Sequence, residues 1–71
     1  MGKYKVGNKA VIRKELIVDE FYNGLYWSDD MNYLKEKDYV VIDNINYGDY
    51  WIADGFWITE EMIESLYEEL V

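Results

Sequence analysis

Apolar positions along this chain fall into short runs, each closed by a turn-forming pair. Val6-Gly7-Asn8-Lys9 is a turn signal, and the β-branched run Ala10-Val11-Ile12-Arg13-Lys14 after it predicts a strand. Alternation places Ala10 and Ile12 on one side of that strand, Val11 and Arg13 on the other. Leu16-Ile17-Val18 extends it or opens a second short extended piece. Residues 19–38 read as a long, irregular connection rich in acids and aromatics. Inside it, Phe21-Tyr22-Asn23-Gly24-Leu25-Tyr26-Trp27 sets Asn-Gly between aromatic arms, the pair that favours a two-residue hairpin turn. Ser28 stands where it would cap a short helical turn over Asp29-Asp30-Met31, whose acids suit a helix N-terminus.

The second half is more regular. Tyr39-Val40-Val41-Ile42-Asp43-Asn44-Ile45 is the strongest strand pattern in the chain. Asn46-Tyr47-Gly48-Asp49 supplies a turn, Tyr50-Trp51-Ile52-Ala53 a returning strand, Asp54-Gly55 a further turn, and Phe56-Trp57-Ile58 a third short strand. Together they predict an antiparallel meander. Thr59 then caps a C-terminal helix over 60–70, with Glu60 and Glu61 in its first turn. Met62, Ile63, Leu66, Tyr67 and Leu70 make one apolar stripe at helical spacing, opposite Glu60, Glu64 and Glu68. Like charges at i,i+4 cost about 0.2–0.5 kcal/mol per pair, so packing has to hold this helix. Trp27-Ser28-Asp29-Asp30-Met31 and Trp57-Ile58-Thr59-Glu60-Glu61-Met62 echo each other as a capped acidic turn that docks a methionine.

These segments resemble a family. Lys5-Val6-Gly7-Asn8-Lys9-Ala10-Val11-Ile12-Arg13, the aromatic loop ending in Trp27-Ser28-Asp29-Asp30-Met31, the Val40-Val41-Ile42 and Tyr50-Trp51-Ile52 strands and Phe56-Trp57-Ile58-Thr59-Glu60-Glu61-Met62 are similar to short SH3-like barrel proteins encoded by bacteriophages and related mobile elements. The resemblance implies a mainly β fold, a small SH3-like antiparallel β-barrel, ending here in an acidic α-helix. Two departures are Asn8, where an acid is common, and the longer acidic ending after Met62.

Composition narrows the chemistry. The chain has 71 residues, 18% of them aromatic, and contains no Cys, His or Pro. That length predicts one domain over 1–71, at the size where a single core barely suffices. Without a disulfide or a Cys/His metal cluster, aromatic packing is the expected source of stability. Nucleophilic triads and thiol chemistry are excluded. The acid pairs Asp29/Asp30 and Glu60/Glu61 both fall at predicted helix starts, where a dipole role outweighs a catalytic one. Asp43-Asn44-Ile45-Asn46-Tyr47-Gly48 has Ile45 where a calcium loop needs an oxygen, and no phosphate-binding glycine pattern exists. We therefore expect no enzyme activity, no metal and no cofactor. No run approaches the roughly 20 apolar residues of a membrane span, and no signal peptide is recognisable, so a bacterial cytoplasmic location is expected.

Charge then locates a surface. The net charge is −8, yet residues 1–14 carry Lys3, Lys5, Lys9, Arg13 and Lys14 with no acid, whereas residues 38–71 carry nine acids and no base. Such a surface repels nucleic-acid phosphates and favours a basic partner. Two binding readings follow, each against a plainer alternative. In the first, Glu60, Glu64 and Glu68 on one line, flanked by Glu61 and Glu69, imitate phosphates and inhibit a basic nucleic-acid-binding host protein; given the phage resemblance, a CRISPR or restriction nuclease is the natural target. The plainer alternative is a solubilising face. In the second, the aromatic loop, with Tyr22, Tyr26 and Trp27 and with Trp51 or Trp57, docks a peptide beside Asp19, Glu20, Asp29 and Asp30, as aromatic grooves of SH3 domains do. Its plainer alternative is that Trp27, Trp51 and Trp57 fill the core. Monomer and homodimer both remain open.

Overall fold

Residues 3–68, which the computed structural model describes, contain seven short strands and two 3-10 helices joined by turns and irregular backbone. The strands are β1 (Lys9–Ile12), β2 (Phe21–Tyr22), β3 (Leu25–Tyr26), β4 (Val40–Asn46), β5 (Asp49–Ile52), β6 (Trp57–Ile58) and β7 (Ile63–Leu66). A longer 3-10 helix spans Asp29–Glu36, and a one-turn 3-10 helix spans Glu60–Met62. Five strands form one antiparallel sheet in the order β6-β5-β4-β1-β7, while β2 and β3 pair as a separate hairpin. The predicted meander is present as β4-β5-β6. Among the described residues the sheet's edge strands β6 and β7 are not paired with each other.

Period-2 alternation decides which side chains enter the core. Ala10 and Ile12 of β1, Val40 and Ile42 of β4, and Tyr50 and Ile52 of β5 are all buried. Trp27, Met31, Leu34, Ile58, Met62 and Ile63 complete the cluster from the connection and the C-terminal part. Asn23 and Gly24 take φ of 54° and 97°, the left-handed pair that the Asn-Gly turn between β2 and β3 requires. Leu16-Ile17-Val18 forms no strand; it lies in turn and irregular backbone.

The C-terminal helix expected over 60–70 does not form. Helical backbone ends at Met62, and Ile63–Leu66 becomes β7, pairing antiparallel with β1 through Ala10 with Leu66, Val11 with Ser65 and Ile12 with Ile63. Residues 69–71 lie outside the described part. Two effects oppose the helix: its Glu60, Glu64 and Glu68 would repel one another, and its acidic end would face the negative pole of the dipole. The strand instead covers the free edge of β1 and satisfies its backbone groups. Glu60, Glu64 and Glu68 therefore do not share a helix face.

The echo noted in the sequence is a shared structural device. Ser28 and Thr59 are both extended, at φ −98° and −113°, and neither hydroxyl caps its helix. In each case the methionine amide donates to the cap residue's carbonyl instead, Met31 to Ser28 and Met62 to Thr59, both at 3.0 Å. Both methionines are buried. The Thr59 hydroxyl donates to the Tyr22 carbonyl at 2.7 Å, tying the β2–β3 hairpin to the end of β6.

A buried tyrosine clamps the start of the chain. The Tyr50 hydroxyl donates to Glu60 Oε2 at 3.1 Å and accepts from the Tyr4 amide at 3.2 Å, while the Lys3 amide also donates to Glu60 Oε2. Burial, reinforced by Glu60, raises the Tyr50 phenol above its usual value of 10.0. A phenol raised in the folded state stabilises the fold below its unfolded pKa and loses that contribution as pH rises through the folded one. Thermal stability should therefore fall as pH rises above about 10, and Tyr50→Phe should flatten that fall. Melting curves across alkaline pH check this; an equally steep loss in Tyr50→Phe would assign it elsewhere.

Candidate functional site

Trp27 and Trp57 show why some aromatics of this chain are scaffold and others are surface. Counted from the cap residues, Trp27 directly precedes Ser28, and the matching position before Thr59 is Ile58. That inward position buries Trp27 completely and Ile58 likewise. Trp57 sits one residue earlier, so strand alternation turns it outward, where it is 37% exposed. It packs across the strands against half-buried Trp51, ring centroids 5.2 Å apart. Trp27 as a partner contact is thus corrected: its ring is in the core and its Nε1–H donates to Asn32 Oδ1 at 2.7 Å.

Trp57 lines a cleft of about 200 Å³ together with Leu25, Asn46, Tyr47 and Asp49. One wall comes from the β2–β3 hairpin through Leu25, the other from β6 and the β4–β5 turn. The hairpin wall is fixed by the Thr59 bond and by the Ile17 amide, which donates to the Tyr22 hydroxyl at 2.8 Å. Further pins come from the Asp19 amide to the Trp27 carbonyl and the Trp27 amide to the Glu20 carbonyl. Lys35 donates to the Leu16 carbonyl and Lys14 to the Lys35 carbonyl, holding the long connection against the core. On the hairpin's other face, Phe21 and Tyr26 stack at 3.8 Å and remain exposed.

Several acids, Asp49 of the cleft among them, lack a cation partner among the described residues. The ion pairs among the described residues include Arg13–Glu15 at 3.7 Å and Lys37–Asp54 at 2.9 Å. Asp19, Glu20 and Asp49 make no ion pair or side-chain hydrogen bond there, and Asp49 is half-buried beside the cleft. Asp29 and Asp30 are exposed in the first turn of the longer 3-10 helix; Glu61 is exposed in the one-turn 3-10 helix, Glu64 in β7 and Glu68 after it. Glu60 is engaged by Tyr50 and the Lys3 amide, so it serves the fold.

A second, wider depression of about 450 Å³ includes Glu36, Lys37, Tyr39, Val41 and Asp54. Its lysine is already paired: Asp54 accepts from Lys37 and from the Tyr33 hydroxyl at 3.1 Å, and the Asp54 bond raises the Lys37 pKa. Among the described residues, no three acidic side chains converge on a point where a metal could sit, and no helix is long and apolar enough to cross a membrane.

Sequence reasoning missed Tyr47 and Asp49 as site residues. A signal was present in Asn46-Tyr47-Gly48-Asp49, where a bulky aromatic occupies a turn position that Asn or Gly normally fills. No family model, curated protein or solved structure matches the chain.

Proposed function

We propose that this protein is a non-enzymatic binding module of SH3-like architecture that docks a basic segment of a partner protein in the cleft between the β2–β3 hairpin and the β4–β5 turn. The architecture is supported by the five-strand order, by the long first connection carrying a small hairpin, and by the one-turn helix before the last strand. The observation that carries the docking reading is the outward Trp57 beside half-buried Asp49, which has no cation partner among the described residues. An aromatic face next to an unpaired carboxylate attracts a positively charged chain, and the base-free stretch from residue 38 onward steers it there.

Fluorescence anisotropy with a labelled arginine- and lysine-rich peptide tests this. Asp49→Asn should weaken binding about tenfold, the scale of one charge-assisted contact. Asp38→Asn removes the same charge away from the cleft and should leave binding nearly unchanged. Equal losses in the two variants would reduce the interaction to net charge and sink the reading.

A second reading keeps the inhibitory role. Exposed Glu61, Glu64 and Glu68 have no cation partner among the described residues and would stand in for phosphates on a basic nucleic-acid-binding protein. It predicts that reversing those three charges abolishes partner binding while Asp49→Asn has little effect.

A further inference from the structure

We infer that the cleft is a socket for a single arginine side chain of the partner segment, with the guanidinium held between Trp57 and Tyr47 and paired to Asp49. This rests on the docking reading above and names the group that it recognises.

The first observation is size. At about 200 Å³ the cleft is smaller than the roughly 300–1,000 Å³ of a small-molecule site, and it suits one long side chain. The second is its chemistry. Leu25 and Trp57 offer apolar surface to an aliphatic stem, and Trp57 and Tyr47 offer π faces to a cation. Asp49 supplies a carboxylate that no described residue neutralises. A planar guanidinium stacks on indole and presents its fork to a carboxylate together; a round ammonium cannot do both.

The third observation is independent of the cleft's shape. Tyr47 takes φ of 50° in the turn between β4 and β5, followed by Gly48 at 84°. That left-handed pair is the geometry Asn-Gly adopts without strain, and a bulky aromatic is disfavoured there. The Tyr47 ring gains nothing for the fold in return, since it is 99% exposed. A strained residue that packs against nothing and lines a cleft is best explained by what it touches when the cleft is filled.

The test uses a short arginine peptide, its lysine counterpart of equal charge, and its citrulline counterpart, in which the guanidinium becomes a neutral urea. Tryptophan fluorescence reads their binding to the whole chain. The arginine peptide should bind about tenfold more tightly than the lysine peptide, and the citrulline peptide should not bind measurably. Asp49→Asn should erase the arginine preference. Tyr47→Asn should weaken arginine binding several-fold while raising the melting temperature by roughly 4–8 °C, because the turn is relieved. That pairing of higher stability with weaker binding excludes misfolding as the cause of the loss. Arginine and lysine peptides that bind equally, but still lose affinity in Asp49→Asn, would overturn the socket and leave the docking reading standing. Failure of both peptides to bind would overturn both.

Discussion

Trp27→Ala should bring the domain to the edge of unfolding at 25 °C. A chain of 71 residues holds about 4–11 kcal/mol at the usual stability per residue. Truncating a fully buried tryptophan removes about 3–5 kcal/mol, and the Asn32 side chain loses its partner as well. Trp27 also carries the long connection: its amide and carbonyl bond Glu20 and Asp19, and the Lys35 ammonium lies 5.8 Å from its ring centroid. Urea titration followed by far-UV circular dichroism measures the loss. Trp57→Ala is the internal control, because it removes an outward ring and should cost about 1 kcal/mol. Equal destabilisation by the two variants would contradict the division of scaffold from surface tryptophan.

Ile63→Ala should be the next most damaging change in the C-terminal part, at about 2–5 kcal/mol, while Leu66→Ala should cost about 1 kcal/mol or less. Both residues belong to the apolar stripe of the expected helix, where each would be buried to a similar degree. In β7 they part company: Ile63 is buried opposite Ile12, whereas Leu66 is 43% exposed opposite Ala10. Thermal melts of the two variants settle the matter. A large loss from Leu66→Ala would restore the helix.

That contrast marks where the sequence is legible. The strands of the meander and the hairpin turn at Asn23-Gly24 could be read locally, because alternation and turn chemistry act over neighbouring residues. Residues 60–68 could not. Their glutamates and leucine favour helix locally, and the outcome depends on β1, some fifty residues earlier, needing a partner along its free edge. The longer 3-10 helix was legible only at its start, since Asn32 to Glu36 carry no strong period. The acids on the C-terminal stripe and Trp27 drew attention through their residue types. Which of them face solvent depended on register: one extra residue before Thr59 than before Ser28 turns Trp57 outward and leaves Trp27 in the core. Asp29 and Asp30 read correctly as partners of a helix start, and the structure gives them no further neighbour of opposite charge among the described residues.

Function follows from the same distinction. The net charge states what kind of partner is favoured, but it is spread over many exposed carboxylates. Among the described residues, the cleft brings together an outward tryptophan, a strained tyrosine and an acid with no cation partner. Neighbouring Leu25 is held there by a hairpin that the buried Thr59 hydroxyl anchors. The most direct test is a two-dimensional NMR titration of the whole chain with an arginine-rich peptide. The account predicts that the Trp57 indole N–H and the amides of Leu25, Tyr47 and Asp49 shift first and furthest. Shifts concentrated from Glu61 to Glu68, or spread evenly over the acidic surface, would contradict it.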